Sequence, residues 1–247
     1  MWHRFNVPRN SVGLIADPFP PNEGCAAVAS KYWRTLRSPV LPGLGNVFLP
    51  ESFARSYAYP LVCYLHDEDR SDQDLDRWFP LVSDQNFIAA GVRAPFPSKM
   101  GFPGNFRWRL NRPDSTAGIL AETIDDVRTS VEIHQQRIYL FGEGKGALAC
   151  LQMFLLQQHF RELLNVPIRG VIARSLPPSW ASRIPYVSRG QGRVLLFDEL
   201  VRPDQQAAVD GLRDAGYDVI TNQPSWESAD AAFINHWILD AIPTVVG

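Results

Sequence analysis

Phe141-Gly142-Glu143-Gly144-Lys145-Gly146-Ala147-Leu148-Ala149 is the segment whose spacing could do chemistry. It follows a strand-like run, Arg137-Ile138-Tyr139-Leu140, and opens a helix-like run reaching Phe160. Strand, tight glycine-rich turn and helix form the setting in which G-x-S-x-G lifts a nucleophilic serine above a sheet for acyl transfer. Gly142 and Gly146 occupy the two flanking positions, and Gly144 stands where the nucleophile would be. A glycine accepts the strained backbone of such a turn, so the substitution should relax the turn rather than break it. Gly144 also reads simply as a turn glycine. Gly144-Lys145 is not a P-loop, which would need glycine at position 139 and Ser or Thr at 146; the chain has Tyr139 and Gly146.

The elements that must position this turn alternate along the chain. Residues 1–45 are rich in Pro and Gly and form an N-terminal extension; 46–247 form one domain. Strands are expected over 46–50, 59–65, 87–92, 137–141, 168–173, 193–197 and 217–220. Helices are expected over 72–82, 119–134, 147–160, 204–215 and 229–242. The strands are apolar along their whole length, as in Tyr59-Pro60-Leu61-Val62-Cys63-Tyr64-Leu65. Such strands, alternating with helices, imply an α/β fold: a mainly parallel central sheet with helices on both faces. In these sheets the site lies beyond the carboxyl ends of the strands. The loops starting at His66, Ala94, Gly142, Arg174, Asp198 and Thr221 therefore meet at one edge.

Three segments resemble the α/β-hydrolase superfamily, and within it the bacterial phospholipase/carboxylesterase and dienelactone-hydrolase-like group. The first is Phe48-Leu49-Pro50-Glu51 followed by Tyr57-Ala58-Tyr59-Pro60-Leu61-Val62-Cys63-Tyr64-Leu65-His66. The second is the Gly142 to Gly146 turn. The third is Val209-Asp210-Gly211-Leu212-Arg213-Asp214-Ala215-Gly216-Tyr217-Asp218-Val219. The resemblance implies an esterase ancestry and the α/β-hydrolase fold over roughly 47–242. It also implies a nucleophile, a base, an acid and an oxyanion loop at defined places.

Those places are altered. The nucleophile position is Gly144. The base belongs in Asn222-Gln223-Pro224-Ser225-Trp226-Glu227-Ser228, which has no histidine; Trp226 or Glu227 falls there instead. His236 lies further on and reads as a packing or surface residue. The acid position matches Glu199-Leu200-Val201-Arg202-Pro203 loosely, with Asp198 beside it; either carboxylate could equally cap the following helix. The oxyanion loop, glycine-rich in the family, reads His66-Asp67-Glu68-Asp69-Arg70-Ser71-Asp72. Acids beside the hole would oppose a developing negative charge.

Departures at the nucleophile, base and oxyanion positions together imply a catalytically degenerate protein, a pseudo-esterase that binds a ligand or a protein partner. The alternatives are an active carboxylesterase with a displaced triad, for which Ser71 and Ser175 are candidate nucleophiles, or a structural subunit. Candidate binding residues are His66, Asp67, Glu143, Gly144, Lys145 and Trp108. The bare turn and Lys145 at a helix start suit a small anionic ligand. His66 among carboxylates could hold a divalent cation, but no short ligand spacing is present, and a solvated acidic rim is the simpler reading. The aromatic and Arg-rich loop Arg93 to Arg112 suits either packing or a protein interface, including one between copies of this chain.

Composition sets outer limits. A net charge of −2 gives no electrostatic case for nucleic acid or an anionic membrane. No apolar run approaches the length that spans a bilayer, and the first residues lack the pattern of a signal peptide. Cys25, Cys63 and Cys150 are unspaced and read as buried thiols of a cytoplasmic protein. No cofactor is implied.

Overall fold

Among the described residues seven strands form one sheet in the order β1-β3-β2-β6-β7-β8-β9. They are β1 (Val47–Phe48), β2 (Tyr59–Leu65), β3 (Ile88–Val92), β6 (Ile133–Glu143), β7 (Ile168–Arg174), β8 (Arg193–Phe197) and β9 (Asp218–Asn222). All neighbouring pairs are parallel except β1 with β3. A separate two-stranded ribbon pairs β4 (Phe96–Pro97) with β5 (Phe106–Arg107). This computed structural model describes residues 46–98, 105–185, 189–198, 202–223 and 227–240. All of them belong to the compact unit Ser38–Gly247.

Burial on both faces explains the uninterrupted apolar strands: every residue of β2 is buried. Tyr59, Leu61, Cys63 and Leu65 point into a core shared with α2 (Pro113–Ser130), α3 (Gly144–Leu155) and α5 (Pro203–Asp214). The alternate residues face α1 (Leu75–Val82) and α6 (Glu227–Asp240). There Tyr64 and Phe141 meet Phe79 and Trp78 edge-on, and Tyr139 meets Trp237. The short α4 (Arg161–Leu164) ends at Asn165 in the left-handed region. Cys63 and Cys150 are buried free thiols, and burial pushes the Cys63 thiol up to about 12. Cys25 lies outside the described residues. Among the described residues no helix is long and apolar enough to cross a membrane.

The parallel sheet covered on both faces is as the sequence implies, but several boundaries differ. The helix expected over 119–134 begins at Pro113 and ends at Ser130, and β6 then starts at Ile133. Pro113 stands in the first turn with Asp114, where a missing N–H costs nothing and an acid meets the helix dipole. That Pro-Asp-Ser-Thr stretch reads as loop only if the proline is taken as a breaker. The helix expected from Ala147 begins three residues earlier, at Gly144, so strand β6 passes into α3 without a connecting loop.

Candidate functional site

The β6–α3 junction has the geometry of a nucleophile elbow. Gly144 has φ 53°, the left-handed region that favours glycine. Gly146 allows the turn to press against β2: a Cβ there would lie 2.1 Å from the Leu65 carbonyl oxygen. The carboxyl ends of β2 and β6 are held in register, Leu65 beside Gly142, which brings the loop after β2 over the turn.

From that loop comes Asp67. Its Oδ1 accepts the backbone N–H of Glu68 at 2.6 Å and that of Lys145 at 2.9 Å. In this kind of site the oxyanion hole is built from the N–H after the nucleophile and an N–H from the loop after the neighbouring strand. Lys145 and Glu68 hold those two places, and the Asp67 carboxylate fills the space between them. A Cβ built on Gly144 would meet Asp67 Oδ1 at 1.9 Å and Cγ at 2.1 Å. One carboxylate thus occupies both the anion pocket and the room a nucleophilic side chain needs. The sequence locates an acid beside the hole; its place inside the hole follows from the loop backbone, which the sequence does not show. The Lys145 ammonium is in turn paired with the Glu68 carboxylate.

Beneath the elbow, Glu143 joins a buried charge network. Its Oε2 accepts the Tyr64 hydroxyl at 2.7 Å, and its Oε1 accepts Arg174 Nη1–H at 3.3 Å. Arg174 Nε–H also donates to Asp230 Oδ2 at 3.2 Å, and its guanidinium carbon lies 4.7 Å over the Trp78 ring. Asp230, on α6, is fully buried. Burial, and then the neighbouring Glu143 charge, pushes the Tyr64 hydroxyl far above its ordinary range. Glu143 is therefore tied to Tyr64 and Arg174 and only partly exposed. The sequence places Arg174 at the sheet edge only as a loop start, and gives no sign of its partner Asp230.

His66 is completely buried, and neither ring nitrogen is open. Ala94 N–H donates to Nε2 at 3.1 Å, so Nδ1 carries the proton and donates to the Asp67 carbonyl at 2.7 Å. Burial holds its pKa below the ordinary histidine value. Trp108, also buried, donates Nε1–H to the His66 carbonyl at 2.7 Å and tilts its ring 5.3 Å from the imidazole. His66 is thus a strut of the loop and cannot serve as ligand or base without unmaking it. At the acid position Asp198 Oδ2 accepts Trp180 Nε1–H at 3.0 Å. His236 is exposed on α6. Glu199 and Trp226 lie outside the described residues, and Glu227 is described only as the first residue of α6. Ser71 caps the 3₁₀ turn Asp72–Asp74 through its hydroxyl. Ser175, the other candidate serine, is exposed directly after β7 with φ 54°, a left-handed backbone. Among the described residues no three His, Cys, Asp or Glu come together as a metal-ligand set.

Solved structures with this architecture include a carboxylesterase from Mesorhizobium loti, with TM-score 0.58 and 18% identity over 83% of this chain and 99% of the other. A bacterial heroin esterase is similar at TM-score 0.57 and 13% identity, covering 88% of this chain and 92% of that one. Thermogutta terrifontis esterase 2 is similar at TM-score 0.56 and 9% identity over 83% and 97%. The chain has the α/β-hydrolase fold. No protein-family profile matches the sequence, and no curated protein matches it significantly. On this fold the Gly144 turn joins a parallel strand to the helix that follows it, and the loop after β2 lies over that turn.

Proposed function

We propose that this α/β-hydrolase-fold chain is a pseudo-esterase that works by binding a ligand rather than by cleaving an ester. The observation that carries the reading is the Asp67 carboxylate on the Glu68 and Lys145 N–H groups, above a Gly144 that has no side chain. A carboxylate in that position already satisfies both donors. An incoming ester carbonyl would have to displace it before any transition-state charge could be stabilised, and removal of a single such donor already costs about 3 kcal/mol in known enzymes. Among the described residues no histidine offers a free ring nitrogen over the elbow, which supports the same reading. The test is hydrolysis of p-nitrophenyl acetate and butyrate by the purified protein beside a heat-denatured control. A rate equal to the control supports the reading; a saturable rate well above it overturns it.

One observation favours the alternative of an active hydrolase with a displaced nucleophile. Ser175 is exposed at the carboxyl edge of the sheet in a left-handed backbone, the conformation a nucleophile takes on an elbow. It is not followed by a helix whose N-terminus could steady an oxyanion. Should ester turnover be found, a Ser175→Ala variant that abolishes it would identify this route.

A further inference from the structure

Beside the elbow runs an open groove of about 460 Å³, within the size range of small-molecule sites. Three cationic side chains from three separate elements line it: Arg109 from the loop after β5, Lys145 from the first turn of α3, and Arg183 from the 3₁₀ turn Ala181–Arg183. Trp108 and Leu110 supply apolar wall, and Gln152 supplies a polar amide. Among the described residues no carboxylate lines the groove.

These cations are not spent alike. Lys145 is paired with Glu68. Among the described residues neither Arg109 nor Arg183 forms an ion pair with a carboxylate. Arg109 lies with its guanidinium carbon 3.9 Å over the Phe96 ring, which fixes its plane without consuming its donors. Gln152 Nε2–H donates to the Arg183 carbonyl at 3.1 Å and ties that turn to α3. Trp108 is anchored through His66. Even with Glu68 set against Lys145, the two arginines that line the groove have no carboxylate partner among the described residues. Guanidinium is suited to bidentate capture of a carboxylate or phosphate. The elbow N–H of Lys145 is already satisfied by Asp67, so an anion has to be taken by the side chains of the groove.

We infer that this groove binds a small organic anion, with a carboxylate or phosphate head held by Arg109 and Arg183 and an apolar body against Trp108 and Leu110. The inference rests on the binding reading above and names its ligand class. A groove of this volume is larger than an inorganic anion alone needs, and its mixed lining matches a molecule with a charged end and an apolar end.

The experiment measures binding of phenyl phosphate, benzoate and inorganic phosphate to the full chain by calorimetric titration and thermal shift. The expected result is saturable binding of the two aromatic anions. Affinity should fall with added salt, and Arg183→Glu or Arg109→Gln should weaken it about tenfold or more. Both arginines are exposed, so the variants should keep the wild-type melting temperature without ligand, which separates lost binding from lost folding. No saturable binding of any probe at millimolar concentration, or unchanged affinity in both variants, would overturn the inference. Equal affinity for inorganic phosphate and phenyl phosphate would remove the apolar half of the site. Ester turnover on the same preparation reads the parent proposal separately: turnover with retained binding sinks the closed-site reading and leaves the groove, while absent binding without turnover sinks only the groove.

Discussion

The carboxylate of Asp67 stands where a side chain on Gly144 would have to be. The clash is 1.9 Å to Oδ1 and 2.1 Å to Cγ, and the same Oδ1 holds the N–H of the residue after Gly144. Restoring a serine at position 144 therefore conflicts with the residue that fills the hole, as well as with a φ of 53°. Gly144→Ser should destabilise the fold by about 1–3 kcal/mol, the range for a non-glycine residue held in a left-handed backbone. Asp67→Gly removes the obstructing carboxylate and leaves two N–H donors without their acceptor, costing about 1–3 kcal/mol alone. Combined, the two should cost less than their sum by about 1 kcal/mol, because each relieves part of the other's damage. Urea unfolding of the four proteins measures this directly. Strict additivity would show that Asp67 does not occupy the elbow space in solution. None of the four should hydrolyse p-nitrophenyl acetate above the denatured control, since no base is restored.

A second prediction concerns Arg174, which lies between Glu143 and the fully buried Asp230. Replacing it by methionine keeps much of the volume over Trp78 but removes the guanidinium shared by the part-buried Glu143 and the buried Asp230. Breaking a buried pair by removing one partner costs about 3–5 kcal/mol. The expected outcome for Arg174→Met is a loss in that range by equilibrium unfolding. A loss below about 1 kcal/mol would mean that the carboxylates reach water and that the network is not a buried one.

Much of this architecture was legible in the residues, for reasons that differ from element to element. Strand β2 is legible to the residue because its run is apolar throughout, and β8 because an apolar run follows Arg193; both end at polar residues. The start of α2 was missed because Pro113 punctuates a loop and a helix N-terminus equally well. The elbow was found by its glycines, whose spacing reports backbone geometry. What the residues could not give was direction. His66 and Asp67 are neighbours in one loop, yet one side chain turns into the core and the other over Gly144. Asp230 was invisible because a carboxylate on a helix is usually a solvated one, and only packing against Arg174 shows otherwise.

His66 gives a prediction with a sign in pH. Ala94 N–H donates to Nε2, so the buried ring must be neutral with its proton on Nδ1. Nitrogen-resolved NMR at neutral pH should show that tautomer. Burial keeps its folded pKa below the unfolded value of about 6.5. The unfolded chain therefore takes up the proton first as pH falls, and stability present above about pH 6.5 is lost below it. The contribution approaches at most about 1.4 kcal/mol per pH unit for one proton. His66→Gln should be less stable at neutral pH and should lose this part of the acid slope. An identical slope in the variant would assign it to other groups.

Asp76 tests the opposite sign. It stands on α1 one turn from Asp72, whose carboxylate is held by Arg93 and by the Asn46 amide. Burial, then the Asp72 charge, pushes the Asp76 carboxyl up to about 6. A carboxylate with a raised folded pKa binds its proton more tightly folded than unfolded. Its favourable contribution is complete below the unfolded value of about 4 and is lost as pH rises through about 6. At neutral pH the ionised Asp76 is therefore a standing cost. Asp76→Asn should be more stable than wild type above about pH 6, with the difference closing as pH falls from about 6 to about 4. Since the side chain is partly exposed, solvent screening limits the gain to about 1 kcal/mol. Paired thermal unfolding curves across that interval isolate the effect from the His66 slope, which both proteins share. A difference that stays constant with pH would show that the gain comes from packing or helix propensity and not from the charge.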